Sequence, residues 1–272
     1  MQQGEIILFW ASVFGYLASF CLQLIAFVMN KPAILKSIRK LLWAAFVLHT
    51  LTIVLRWING HHVPVTNAYE LNLTGMWLVM LVYLIVEQWG KVDRSVGLVL
   101  LPVVFIVMGY GLMSWSEATP MSPAYHSPWL AVHVIFAWLS FGCYAISTGA
   151  AILLLARSPL TQWKSTFKIL PQDDLDVASY RFIVLGFINH AVMLVSGAIW
   201  AKKLWGHYWS WDALETWSLI AFLFYAFYLH IRSFLGWKGA RSAWLAVVGV
   251  ILLIISFWGV SLFSPKMGHF GP

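Results

Sequence analysis

Charge and thiols are what this sequence has least of. Lys, Arg, Asp and Glu make up only 10% of its 272 residues, while 61% are hydrophobic and the mean hydropathy is +0.80. An ordinary soluble domain carries about 25% charged residues. That shortage excludes a soluble globular enzyme, a disordered chain and a nucleic-acid binder with a basic stripe. Cys21 and Cys143 are the two cysteines, each in an apolar run without a second thiol nearby. A disulfide-stapled secreted domain, a C-x-x-C redox pair and a local zinc site are therefore excluded, and both thiols read as packing residues. Lys and Arg are also missing ahead of the first apolar run, which continues without an A-x-A-like cleavage site. It reads as a first membrane helix rather than a removed signal peptide.

Apolar length is what the sequence has in abundance. About 20 mostly apolar residues cross a bilayer, and eight segments qualify, at approximately 6–29, 40–59, 70–89, 95–113, 129–156, 180–203, 214–235 and 243–263. The expected fold is an all-α integral membrane protein, a bundle of eight transmembrane helices forming a single domain over 1–272. Positive charge tests that count, because Lys and Arg gather on the cytoplasmic side. One set of alternate connections holds Lys31, Lys36, Arg39, Lys40, Lys91, Arg94, Arg157, Lys164, Lys168, Arg181, Arg232, Lys238 and Arg241. The other holds only Arg56, Lys202, Lys203 and Lys266. This alternation predicts both termini on the outer, periplasmic face and explains the net charge of +7 without an acidic partner. Asp173, Asp174 and Asp176 then fall in an inner stretch, 157–179, that reads as a solvated loop. Arg56 and Glu87, near helix ends, read as reaching the interface.

Tryptophan is the second excess, 17 residues, and it is clustered. Trp200, Trp205, Tyr208, Trp209, Trp211 and Trp217 fall in one outer loop and its flanks, at about 200–217. An interfacial belt places one or two rings at a helix end. So dense an aromatic shelf suits a large planar ligand, since each ring buries roughly 150–250 Å². Gly206 relieves the backbone there, and Asp212 with Glu215, three apart, matches a helix cap. Lys202 and Lys203 precede the shelf, where they meet an anionic ligand or snorkel at the helix end.

Nine histidines stand out against so little other polarity. His61, His62, His126 and His207 fall in outer loops and read as solvated. His133, near the outer end of the fifth span, and His269, past the end of the eighth, bracket the shelf. Two converging imidazoles beside flat aromatic walls suit axial ligation of haem iron. His49, His190 and His230 lie within spans, where ionisable groups are functional candidates.

Trp205-Gly-x-Tyr208-Trp209-x-Trp211-Asp212-x-x-Glu215-Thr-Trp217, followed by Tyr228-Leu229-His230-x-Arg232, resembles the WWD signature of haem-handling membrane proteins, most closely the CcsA (ResC) family of system II cytochrome c synthase subunits. Leu175-Asp176, Ser179 to Phe182, Leu185 to Phe187, Gly197 to Ala201 and the Pro64, Asn67, Glu70 set extend the match over about 60–272. The resemblance implies eight spans in the bacterial inner membrane with the active site facing the periplasm. It also implies transport of haem b to the outer face and its covalent attachment to C-x-x-C-H motifs of apocytochrome c, the work of a haem lyase. By the same resemblance His133, His269 and His230 are axial ligands of haem iron, the first two with Asp212 serving catalysis. Lys202, Lys203, Trp205, Gly206, Tyr208, Trp209, Trp211, Asp212, Glu215 and Trp217 then bind the haem. The implied partners are a CcsB (ResB) subunit, which supplies the opposite ligand of the inner haem, apocytochrome c, a thiol-reducing thioredoxin-like protein and membrane lipid; no nucleic acid is implied. Two departures matter: Ala213-Leu214 stand where the family commonly has Pro-Lys, and His190 has no family counterpart. The alternative is a haem exporter or chaperone of CcmC type without synthase activity. A dihaem electron carrier pairing His49 or His190 with His230 would leave the tryptophans without a role.

Overall fold

Helices α1 (Gln2–Met29), α2 (Leu35–Gly60), α3 (Ala68–Gln88), α4 (Gly97–Leu112), α5 (Pro128–Thr161), α6 (Gln172–Trp205), α7 (Ala213–Phe234) and α8 (Ala240–Ile254) carry the chain, and a π-helical turn, Ile255–Gly259, follows α8. The structure is a computed structural model and describes residues 2–29, 31, 34–117, 121, 125–161 and 170–259. Among the described residues there is no strand, and eight helices are long and apolar enough to cross a membrane. Most boundaries lie within a few residues of those read from hydropathy.

The helices group into two compact units, Met1–Ser122 with Ala156–Pro171, and Pro123–Leu155 with Gln172–Pro272. In the first, α1 packs on α2 and α4, and α3 packs on the same two. Gly15 allows the α1–α2 approach, since a Cβ there would lie 2.7 Å from that of Ala45. Its core holds a buried ion cluster: Arg56 Nε donates to Glu70 at 2.8 Å, and its Nη1 lies 3.7 Å from Glu5. Glu5 accepts from the Tyr69 hydroxyl, and Arg56 Nη1 donates to the Ser116 carbonyl at 2.9 Å. Arg56 is 1% exposed, so it does not reach the interface as its position near a helix end suggested. Two acids within reach of α2 compensate a charge that hydrocarbon would otherwise penalise. Glu87 is also buried, accepting from Arg39 at 2.8 Å and Arg94 at 2.7 Å.

In the second unit α6, α7 and α8 pack on one another. Side-chain contacts add α5: Ser140 Oγ donates to the Gly186 carbonyl, Ser147 pairs with Ser179 at 2.9 Å, and Tyr144 stacks on Tyr225 with centroids 3.6 Å apart. Helix α6 begins at Gln172, so the stretch holding Asp176 is not the solvated loop its charge pattern suggested. Asp176 is buried, and it accepts from Arg232 Nη1 and Nη2 at 2.8 and 2.6 Å, from Gly239 N at 2.9 Å and from Ser242 Oγ at 3.0 Å. A bidentate guanidinium partner 56 residues away turns an apparent loop acid into the tie between α6, α7 and α8.

Candidate functional site

The tryptophan segment is a seven-residue connection between α6 and α7, and local chemistry fixes its shape. Gly206 takes a left-handed φ of +82° after the last turn of α6, a conformation glycine adopts without penalty. Lys202 Nζ donates to the Gly206 carbonyl at 2.6 Å and lies 5.5 Å from the centre of the Tyr208 ring. Asp212 caps α7, its Oδ1 accepting from Glu215 N at 2.8 Å. Glu215 reaches back in turn, its Oε2 accepting from Ser210 N at 2.6 Å and from Ser210 Oγ at 3.0 Å. Two acids three apart thus form a variant of the capping box.

The rings stand edge to face rather than as one flat shelf. Trp209 and Trp211 are 5.9 Å apart at 80°, and Trp200 and Trp205 5.4 Å apart at 61°. Trp211 adopts a left-handed φ of +59°, a costly conformation for a bulky residue and one typical of functional turns. Its ring is 71% exposed, Tyr208 58% and Trp205 39%. The Trp209 indole nitrogen is buried without a hydrogen-bond partner. Trp217 lies half-buried in the first turns of α7, and Lys203 is exposed.

His133 is half-buried on α5, and its Nδ1 lies 2.9 Å from the Met193 carbonyl on α6. A carbonyl only accepts, so Nδ1 carries the proton and the lone pair falls on Nε2. Gly197 makes room for the ring: a Cβ there would lie 2.6 Å from Nδ1. Gly197 stands eight residues before Trp205, roughly 12 Å along α6. Spacing pointed to His133 but not to Met193 or Gly197, because a main-chain acceptor and a missing Cβ leave no chemical mark in a sequence.

The other histidines separate clearly. His269 lies outside the described residues. His230 is exposed on α7 and stacks on Phe234 at 4.5 Å. His49 is buried with both nitrogens engaged: Nε2 donates to the Leu73 carbonyl at 3.0 Å, and the Tyr16 hydroxyl donates to Nδ1 at 3.2 Å. His190 is buried between the rings of Tyr144 and Phe222. Among the described residues no three His, Cys, Asp or Glu side chains gather as a metal cluster.

Residues 65–267 match the model of a family described as cytochrome C assembly protein. That span is most of the chain and contains the whole tryptophan segment. The chain belongs to the cytochrome c assembly protein family. This assembly protein is 32% identical to the cytochrome c biogenesis protein CcsA of Synechococcus sp. strain CC9902, over 86% of each chain. It is also 32% identical to the CcsA of Chlamydomonas reinhardtii, over 87% of the assembly protein and 70% of the relative. Among solved structures, the cytochrome c haem lyase CcmF shares its fold, with a TM-score of 0.67 at 18% identity. That match covers 93% of the assembly protein but only 46% of CcmF.

Proposed function

We propose that this protein acts in cytochrome c maturation as a haem-handling synthase subunit, carrying haem b to the outer face and presenting it there to the C-x-x-C-H thiols of apocytochrome c. The observation that carries this reading is the pairing, in one unit, of exposed rings on a rigid capped turn with an imidazole whose tautomer is set by a main-chain acceptor. Haem-ligating histidines typically donate their second ring nitrogen in this way, and His133 meets that requirement. The buried Trp209 N–H and the Lys203 ammonium suit propionate oxygens, while Trp211 and Tyr208 offer surface to the macrocycle. His269 is the proposed second ligand of the outer haem, and His230, exposed on α7, the inner ligand, completed by a CcsB-type partner. His49 serves the scaffold in this reading, since both of its nitrogens are taken.

The porphyrin vinyl groups and the substrate thiols carry the bond-making chemistry. The protein contributes orientation, holding haem between its ligands until the substrate histidine replaces one of them. The basic connections face the cytoplasm, and a thioredoxin-like protein keeps the apocytochrome thiols reduced.

The test is co-production with a CcsB-type partner and an apocytochrome. His133→Ala and His269→Ala are each expected to abolish covalent haem attachment while membrane insertion persists, and added imidazole to restore part of it. Wild-type yields in both variants would remove these residues from the site. Accumulation of haem without attachment in the unmodified protein would instead favour the exporter of CcmC type.

A further inference from the structure

The α7–α8 turn is held by the Asp176 tie, and its own side chains, which the outer site does not use, remain to be accounted for. Leu235, Gly236, Trp237, Lys238, Ala240 and Arg241 line a shallow, open cleft of about 500 Å³. The turn is built in advance. Gly236 and Gly239 hold left-handed φ values of +65° and +64°, Asp176 accepts from Gly239 N, and Arg232 Nη1 donates to the Trp237 carbonyl at 3.3 Å. A preformed cleft loses little ordering entropy on binding.

Charge there is unbalanced. Arg232 is committed to Asp176 and is only 9% exposed at its side chain, so the family-like His-x-Arg run does not offer it to a ligand. Lys238 and Arg241 are exposed, and none of the described residues that line the cleft is acidic. Arg241 lies 5.8 Å from the centre of the half-buried Trp237 ring. Two cations beside an indole suit a flat apolar body bearing carboxylates. His230 stands five residues before Leu235, roughly 8 Å along the helix, with Phe234 stacked on it and continuing toward the cleft.

We propose that this turn is the uptake site for haem, Lys238 and Arg241 holding the propionates and Trp237 the ring edge before iron reaches His230. The proposal rests on reading His230 as a haem ligand. The competing occupant is an anionic lipid headgroup, which basic cytoplasmic pockets also attract.

The experiment uses the full chain with its CcsB-type partner in nanodiscs, in a His133→Ala, His269→Ala background so that only inner haem is read. Haem is titrated and the reduced absorption band followed. Lys238→Gln with Arg241→Gln is expected to weaken binding about 10-fold, the equivalent of one charge-assisted contact. Lys31→Gln, removing a charge from another basic connection, is expected to leave it unchanged. The 10-fold difference is expected to persist in purely zwitterionic phosphatidylcholine. Unchanged affinity in the double variant overturns the proposal, as does a difference present only with anionic lipid, which assigns the cations to headgroups. If haem binding is the same with and without His230→Ala, the reading of His230 itself falls first.

Discussion

The two units use the same local device for different ends. In the first, Asn67 caps α3 by accepting from Glu70 N at 2.9 Å, and Glu70 reaches back to Thr66 N at 2.9 Å. In the second, Asp212 caps α7 by accepting from Glu215 N, and Glu215 reaches back to Ser210 N. There the likeness ends. Glu70 is buried and its second oxygen is claimed by Arg56, so that turn belongs to the packing. Glu215 serves only its own turn among the contacts described, and the residues it steadies are aromatic and exposed. A capped turn becomes a lock when an arginine answers its acid, and a display when indoles flank it.

Substitutions can break that contrast, and the largest effect belongs to the lock. Arg56→Ala leaves Glu5 and Glu70 buried without their cation, and is expected to destabilise the detergent-purified protein by about 3–5 kcal/mol. A melting temperature within a degree of wild type would show that the cluster carries no such weight. His49→Leu strips partners from the Leu73 carbonyl and the Tyr16 hydroxyl, for an expected loss of about 1–3 kcal/mol. Attachment per folded molecule should hold constant in that variant; a selective fall in attachment would return His49 to the haem path.

On the display side the expected stability effects are smaller and the functional ones separable. Asp212→Ala should cost about 1 kcal/mol as a lost cap, whereas Asp212→Asn, an equally good cap, should be nearly silent. Normal attachment in Asp212→Asn would limit the aspartate to holding the turn, and failure in both variants would give its charge a chemical role. Trp211→Gly relieves a left-handed φ and is expected to raise stability by roughly 0.5–1 kcal/mol while lowering haem attachment. Stability and attachment falling together would mean that the indole packs rather than binds.

Hydropathy and charge made the eight helices legible because a membrane span needs only length and apolarity. The cap at Asp212 was equally readable, since local hydrogen bonding dictates it, whereas the left-handed φ of Gly206 emerged only from the structure. What escaped was every pairing distant in sequence. Asp176 looked like a loop acid and Arg56 like an interfacial cation because each has its partner on another helix. His133 was singled out by its position at a helix end, but its orientation depends on the Met193 carbonyl and on the bare Gly197. The single shelf expected from six neighbouring rings became edge-to-face pairs, since spacing along a connection says nothing of interplanar angle.

The buried acids also constrain how the protein is made. Glu5 belongs to α1, yet the Tyr69 hydroxyl and the Arg56 guanidinium that answer it arrive 64 and 51 residues later, counting from position 5. Asp176 likewise precedes Arg232 by 56 residues and Ser242 by 66. A chain is made from its N-terminal end at about 5–20 residues per second, so each carboxylate exists for several seconds before its cation does. Each cluster is therefore completed only when the helix bearing its cation has been made, α2 for Glu5 and α7 for Asp176.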